Sequence, residues 1–321
     1  MSKYWGLYAS ILVVCLGMAV WSMIPAREES QPASAPAQAA PAPTPGLPQG
    51  VHLGLGHLET EPCLIPQEKL WAGKMMLIDP DHPLPDAAPV PNTLSVAALG
   101  AAARSPQTVA AEETITALRE WLYAALHKGY ATPVVWAGTR SRAQQLEWQL
   151  DQLRLYAQNH SLQEAAQMTA REREAPGYSE HHTGWAIDIR LCASYYQPPD
   201  DQPLSASPAG QYLLQTAWRY GFIHRYNDHP CPEEAYHFRY VGLPHAQVMN
   251  ALGLPLENYL DFLHEAQAVR FYHQGELQYV ILCQPVTGDW TLRKPRGLKA
   301  LDVSYDNQGY ALAVFGVETD A

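Results

Sequence analysis

The stretch "GWAIDI", residues 184 to 189, places apolar side chains at every second position. In a strand, successive side chains point to opposite faces. Trp185, Ile187 and Ile189 therefore share a face that packs on a core, and Gly184, Ala186 and Asp188 share the other. That second face is bare for two positions and then presents a carboxylate. His181 lies just before it, on a turn reached through Pro176-Gly177. Small residues let a backbone and a ligand approach closely, so the arrangement aims an imidazole and a carboxylate at one point above a shallow floor. Nitrogen and oxygen donors converging in this way suit zinc. The same residues also fit a surface turn followed by an edge strand with a solvated aspartate. Zinc requires a third protein ligand, and catalysis a fourth, open position.

The candidate third ligand lies in "EEAYHFRYVG", residues 233 to 242, where Tyr236, Phe238 and Tyr240 alternate with His237 and Arg239. The aromatic face packs, and His237 and Arg239 face the other way. Glu234 breaks that parity, so it precedes the regular strand or sits on a bend. A glutamate three residues before a ligand histidine can lie beside a metal without ligating it. There it can take a proton from the attacking water and pass it to a leaving amine. A plain strand with a buried histidine also accounts for this segment. The third piece is "WAGTRSRAQQ", residues 136 to 145: a strand ends at Gly138, Arg140 follows, and a helix opens at Ser141. An arginine there can stabilise developing oxyanion charge or hold a substrate carboxylate, while Ser141 is also a good helix cap.

In order and wording these pieces resemble the VanY-type D-alanyl-D-alanine carboxypeptidases, zinc peptidases that include L,D-carboxypeptidases and belong to the wider lysostaphin-like and D-alanyl-D-alanine metallopeptidase group. The family pattern Ser-x-His-x-x-Gly-x-Ala-x-Asp is met by Ser179, His181, Gly184, Ala186 and Asp188. Its Glu-x-Trp-His appears as Glu234-Ala235-Tyr236-His237, and its Gly-Tyr-Arg-Ser as Gly138-Thr139-Arg140-Ser141. The resemblance runs over roughly residues 75 to 262.

The resemblance implies that His181, Asp188 and His237 are zinc ligands, that Glu234 is general base and acid, and that Arg140 stabilises the oxyanion. It implies that Ser179 and Gln145 seat the substrate's terminal residue, with Ser141 and Tyr236 as further substrate contacts, and that His182 lines the site without ligating. Tyr236 for tryptophan keeps an aromatic wall, Thr139 for tyrosine removes a ring, and Ala235 stands for proline. The implied activity is removal of the terminal D-alanine from peptidoglycan stem peptides by a zinc-dependent D,D-carboxypeptidase. The alternatives are an L,D-carboxypeptidase or endopeptidase of the same family, or a non-catalytic wall-binding or sensing module with a structural zinc.

The rest of the chain sets the context. From Tyr4 to Ala26 there is no charged residue, a run of the length a membrane-spanning helix needs. An uncleaved anchor with the bulk of the chain outside the cytoplasm is the expectation; a cleaved signal peptide, with an apolar core of about 7–15 residues, is its rival. Residues 27–50 are rich in proline and alanine and form an extended linker. Residues 51–268 make the peptidase domain and 269–321 a β-rich extension whose turns "HQGE" and "DNQG" suggest hairpins.

The expected fold is α+β, a small antiparallel sheet with flanking helices holding the zinc site, plus the β-rich C-terminal appendix. Helices are expected over 112–130, with Ile115, Leu118, Leu122 and Leu126 inward, and over 141–158, and "KMMLIDPDHPLPDAAPVP" reads as a surface-hugging lead-in. Four cysteines remain beyond the apolar run: Cys63, Cys192, Cys231 and Cys283. Three full pairings are open, with Cys192 and Cys231 the first guess and free buried thiols an equal alternative. The formal net charge is −11 with no basic tract, which argues against nucleic acid as a partner.

Overall fold

The computed structural model describes residues 45–317 apart from 67–68, 70, 72, 87, 90, 131–132, 193–202, 227–233 and 287–290. The apolar run at 4–26 and most of the 27–50 linker lie outside the described residues, as does Cys231. Among the described residues no helix is long and apolar enough to cross a membrane, and Cys63, Cys192 and Cys283 are free thiols.

The described helices are α1 (Glu112–His127), α2 (Arg142–Tyr156), α3 (Leu162–Glu172), α4 (Pro208–Thr216), α5 (Leu243–Leu252) and α6 (Leu256–Ala266). The strands of the first half are β1 (Val51–Leu53), β2 (Thr60–Leu64), β3 (Thr93–Ser95), β4 (Val109–Ala111), β5 (Pro133–Ala137) and β6 (Ala186–Leu191). Those of the second half are β7 (Phe222–His224), β8 (His237–Tyr240), β9 (Ala268–His273), β10 (Glu276–Pro285), β11 (Thr291–Pro295), β12 (Leu298–Tyr305) and β13 (Tyr310–Val317). The fold is α+β, as the sequence suggests. A four-stranded antiparallel sheet, β5-β6-β8-β7, carries the residues of interest, and a five-stranded sheet, β1-β9-β10-β13-β12, lies at the C-terminal end.

Local chemistry explains the helix starts. Ser141 Oγ accepts from the Gln144 amide at 3.1 Å while Gln144 Oε1 accepts from the Ser141 amide at 2.8 Å, a reciprocal cap that opens α2. Ser161 and Glu164 repeat it at α3. Gly129 stops α1 from a left-handed conformation, φ +74°. The inward stripe of α1 differs from the expected one at its end. Ile115, Leu118 and Leu122 are buried, but Leu126 is 46% exposed, and Trp121 and Ala125 pack in its place. Trp121 is the reason: its ring lies 5.1 Å from both Phe222 and Phe238, and its Nε1 donates to Thr216 Oγ1. It turns α1 onto the four-stranded sheet, where Ile187 and Ile189 complete the core.

Two long-range features were not expected. The β-rich end takes its edge strand β1 from residues 51–53, and β2 at 60–64 pairs with β11. The lead-in is not surface-hugging at its start. Met75, Met76, Leu77 and Ile78 are all buried. That burial is possible because other segments satisfy the backbone: Lys74 O accepts from Arg239, the Met75 amide donates to Ser304 Oγ, and the Leu77 amide donates to Asp306 O.

His245 of α5 is buried against Tyr259 of α6, with Nδ1 3.0 Å from the hydroxyl. Burial, then the charge of Lys74, pushes its pKa down to about 3. Above about pH 6.5 the ring is neutral in the folded and unfolded chain alike and contributes no pH dependence. Between about 6.5 and 3 only the unfolded chain takes the proton, so stability falls as pH falls. Urea unfolding should show about 2 kcal/mol more loss from pH 7 to pH 5 in the wild type than in His245→Gln; equal losses would show that the ring is protonated inside the fold.

Candidate metal centre

Strand pairing builds most of the site. Asp188 on β6 stands opposite His237 on β8, next to the pair Ile187–Phe238 and two steps from Ala186–Arg239. Directly opposite residues share a face, so Ile187 and Phe238 go into the core while Asp188 and His237 meet on the other side. His181 comes from a short 3-10 turn, 180–183, that ends at Gly184. Gly184 has φ +80°, and a Cβ there would lie 2.9 Å from Pro91, so this position needs glycine. The small residues of the motif do not leave an open floor: glycine at 184 lets Pro91 and Ala111 pack against the turn, and Ala186 is fully buried.

The donor atoms of His181, Asp188 and His237 lie within 4.8 Å of one another. His181 Nε2 is 3.3 Å and His237 Nδ1 is 2.9 Å from the same oxygen, Asp188 Oδ1. The two rings stand edge to face, centroids 4.9 Å apart. The far nitrogen of each ring is already engaged. His181 Nδ1 donates to the Gly138 carbonyl at 2.7 Å, and His237 Nε2 donates to Glu180 Oε2 at 3.0 Å. That leaves one nitrogen of each ring facing Asp188, the arrangement in which outer contacts orient metal-ligating histidines.

The electrostatics agree. Burial pushes the Asp188 carboxyl up, but His181 and His237 hold it well below the usual carboxylate range. Burial pulls His237 down, and Asp188 and Glu180 on its two sides raise it to about 10. A ring between two carboxylates calls for a cation on its inner nitrogen, supplied by a proton or a metal. Burial lowers His181 against the pull of Asp188. Glu180 is 1% exposed; burial raises its pKa, and Arg225 then Arg239 bring it far below the usual value.

The other residues singled out in the sequence are placed as follows. Arg140 sits beside His181: its amide donates to His181 O at 3.0 Å, its Nη2 reaches Ser179 Oγ at 3.5 Å, and its guanidinium lies 4.2 Å over the Trp148 ring. Ser179 and Gln145 are fully buried. Gln145 Nε2 donates to Glu174 O at 2.8 Å, and its Oε1 has no partner among the described residues. The Ser141 hydroxyl caps α2, and Tyr236 packs in the core under the Arg190 guanidinium. His182 does not ligate: its Nδ1 donates to Arg140 O and its Nε2 accepts from the Gly177 amide, bracing the turn. The main chain of Glu234 lies in a 3-10 turn, 234–236, just before β8, and its side chain lies outside the described part. The sequence reading missed Glu180, Arg225 and Arg239 as parts of the site. Arg239 carried a signal, since strand parity puts it on the ligand face beside His237.

Residues 108–243 match the VanY family, described as D-alanyl-D-alanine carboxypeptidase. A D-alanyl-D-alanine carboxypeptidase of Enterococcus faecium is 33% identical over 145 residues, which cover 43% of this chain and 45% of the relative. The bifunctional D-Ala-D-Ala dipeptidase and D-Ala-D-Ala carboxypeptidase VanXYC of Enterococcus gallinarum is 43% identical over 103 residues, 30% of this chain and 52% of the relative. The chain spans about half the length of these curated relatives. In fold, the chain is similar to the vancomycin resistance D,D-dipeptidase VanXYg, solved in complex with a D-Ala-D-Ala phosphinate analog. The TM-score is 0.64 at 21% identity, over 80% of this chain and 99% of that one.

Two substitutions test the centre by calorimetric metal titration. Asp188→Asn keeps the shape but removes the shared charge, and should weaken binding of a divalent metal by more than the roughly 100-fold that loss of an outer contact costs. Gly138→Ala would set a Cβ 2.2 Å from Val109 O. It should cost about 1–3 kcal/mol of stability and weaken metal binding, because the Gly138 carbonyl orients His181. Metal binding unchanged in Asp188→Asn would remove this residue from the ligand set.

Proposed function

We propose, from the match of residues 108–243 to the VanY family, that the chain is a zinc-dependent D,D-carboxypeptidase that removes the terminal D-alanine from peptidoglycan stem peptides. The observation that carries this reading is the His181–Asp188–His237 cluster on the sheet of that domain. Two imidazoles and one carboxylate are a donor set that zinc accepts, and three protein ligands leave the fourth position that a catalytic site needs. When bound there, zinc supplies a Lewis acid for the scissile carbonyl and lowers the pKa of the attacking water.

The chain's own residues supply the rest. Glu234 precedes His237 by three residues, and the 3-10 turn carries its main chain up to the start of β8. In this reading it takes the proton from the attacking water and delivers it to the leaving amine of D-alanine. Arg140, held by its stacking on Trp148 and its contact with Ser179, faces the charge that develops on the carbonyl oxygen. Gln145 Oε1 has no partner among the described residues, and in this reading it is an acceptor for the substrate's terminal residue. Tyr236 supports this wall from the core, and Ser141 fixes the start of α2 next to Arg140. The uncharged run at 4–26 and the proline-rich stretch after it support an extracytoplasmic location, with the domain tethered to the membrane on an extended spacer.

The full chain, loaded with zinc, would be incubated with pentapeptide and tetrapeptide stems in parallel, and released D-alanine followed by mass spectrometry. The expected outcome is release from the pentapeptide. Release from the tetrapeptide alone would make it an L,D-carboxypeptidase, and release from neither, with zinc bound, would favour an endopeptidase or a binding module. Glu234→Gln should keep zinc and lose about 10²–10⁴-fold in turnover; full turnover in this variant would remove Glu234 from the mechanism.

A further inference from the structure

Glu180 is hard to explain as an ordinary fold residue. Its carboxylate is 1% exposed, and burying a charge is costly unless it is paired and hydrogen-bonded. The pairing divides its two oxygens. Oε1 accepts from Arg225 Nε at 2.9 Å and lies 3.7 Å from Arg239 Nη1. Oε2 accepts from His237 Nε2 at 3.0 Å. One oxygen is thus anchored, and the other holds a metal-facing ring.

Both arginines are themselves fixed. Arg239 Nη2 donates to the carbonyls of Lys74 and Met76 at 2.9 and 3.3 Å. Arg225 pairs with Glu257 at the start of α6, at 2.8 Å. Lys74 is tied in turn to Glu113 of α1 and Asp302 of β12, at 2.9 and 3.0 Å. Glu180 therefore stands on a frame drawn from the lead-in, β8 and α6.

An imidazole can turn over about its Cβ–Cγ bond and can carry its proton on either nitrogen. Each change alters which lone pair faces Asp188. A carboxylate at a fixed position, accepting from Nε2, selects one orientation and one tautomer: Nε2 protonated, Nδ1 toward Asp188 Oδ1 at 2.9 Å. Glu180 reaches the opposite edge of the ring from the donor cluster, so it orients His237 rather than joining the ligand set. We propose that Glu180, held by Arg225 and Arg239, is the positioning residue that fixes His237 as an Nδ1 ligand. This rests on the metal-site reading above.

The test uses the full chain and the variants Glu180→Asp and Glu180→Gln. Zinc affinity is read by competition with a chelator, ligand geometry by the visible absorption of the cobalt(II) form, and fold stability by melting of the metal-free protein. Glu180→Asp keeps the charge between the arginines but draws the carboxylate back from His237. It should lose about 10–100-fold in zinc affinity and change the cobalt spectrum, with little change in metal-free melting. Glu180→Gln should show the same loss; if it does not fold, Glu180→Asp decides. Wild-type zinc affinity and cobalt spectrum in Glu180→Asp would overturn the proposal, and so would failure of both variants to fold, which would make Glu180 purely structural. A wild type that binds no zinc overturns this proposal together with the metal-site reading. A wild type that binds zinc but releases no D-alanine overturns only the assigned reaction, and the affinity comparison still decides Glu180.

Discussion

The register of β6 against β8 is the constraint on which the rest depends. Asp188 faces His237 only because Ile187 faces Phe238 one step away, and a slip of one residue would turn the carboxylate into the core. The apolar side enforces the register. Phe238 is locked edge-on against Trp121, and Ile187 and Ile189 fill the space beside it. On the other edge of β6, the partner strand β5 carries an irregularity between Val135 and Ala137, which leaves Ala137 opposite Asp188. An extra residue in one strand re-aims the chain beyond it. Here the chain beyond is Gly138, whose carbonyl orients His181, and then Arg140. Core packing, strand irregularity and ligand geometry are consequences of one pairing.

Holding this register brings charges together in a place that water hardly reaches. Glu180 and Asp188 supply two negative charges, and Arg225 and Arg239 supply two positive ones. Burial alone would raise both carboxyl pKa values; the arginines at Glu180 and the histidines at Asp188 reverse that. Burial and Arg225 together depress Arg239 against the pull of Glu180. Such a cluster is no source of net stability, since desolvation offsets much of its attraction. Its value lies in direction. Each hydrogen bond has one geometry, and the cluster points two imidazole nitrogens at a single carboxylate oxygen.

Much of this was legible in the sequence, because strand parity is a local property. The period of two at 184–189 separated Asp188 from the isoleucines, the same period put His237 and Arg239 on one face, and the off-parity of Glu234 matches its place in the turn before β8. What was not legible depends on partners distant in the chain. Leu126 has the helical spacing of a core residue, yet Trp121 and Ala125 take the inward positions and it stays exposed. Met75 to Ile78 run into proline-rich chain, and nothing in their sequence shows that Arg239, Ser304 and Asp306 satisfy their backbone. Residues 51–53 are too short to announce themselves as the edge of a sheet formed more than 200 positions later. Nothing beside Glu180 in the sequence announces its ion pairs, because Arg225 and Arg239 lie far along the chain.

The buried lead-in gives the β-rich end a physical relation to the site. Residues 74–78 join no sheet ladder, yet they lie between the two sheets, and each sheet satisfies part of their backbone. From the five-stranded sheet come Ser304 Oγ on β12 and, in the turn that follows, the Asp306 carbonyl and the Asn307 side-chain amide on Leu77 O. From the four-stranded sheet comes Arg239 on β8. Met75 and Leu77 meanwhile pack in one core with α5, α6, β10 and β13. The position of the Lys74 carbonyl is therefore set by the C-terminal sheet on one side and read by Arg239 on the other. Arg239 faces Glu180, and Glu180 holds His237. The β-rich end thus forms a back wall against which buried Arg239 is held, and Arg239 in turn lies beside the Glu180 that His237 of the candidate site bonds.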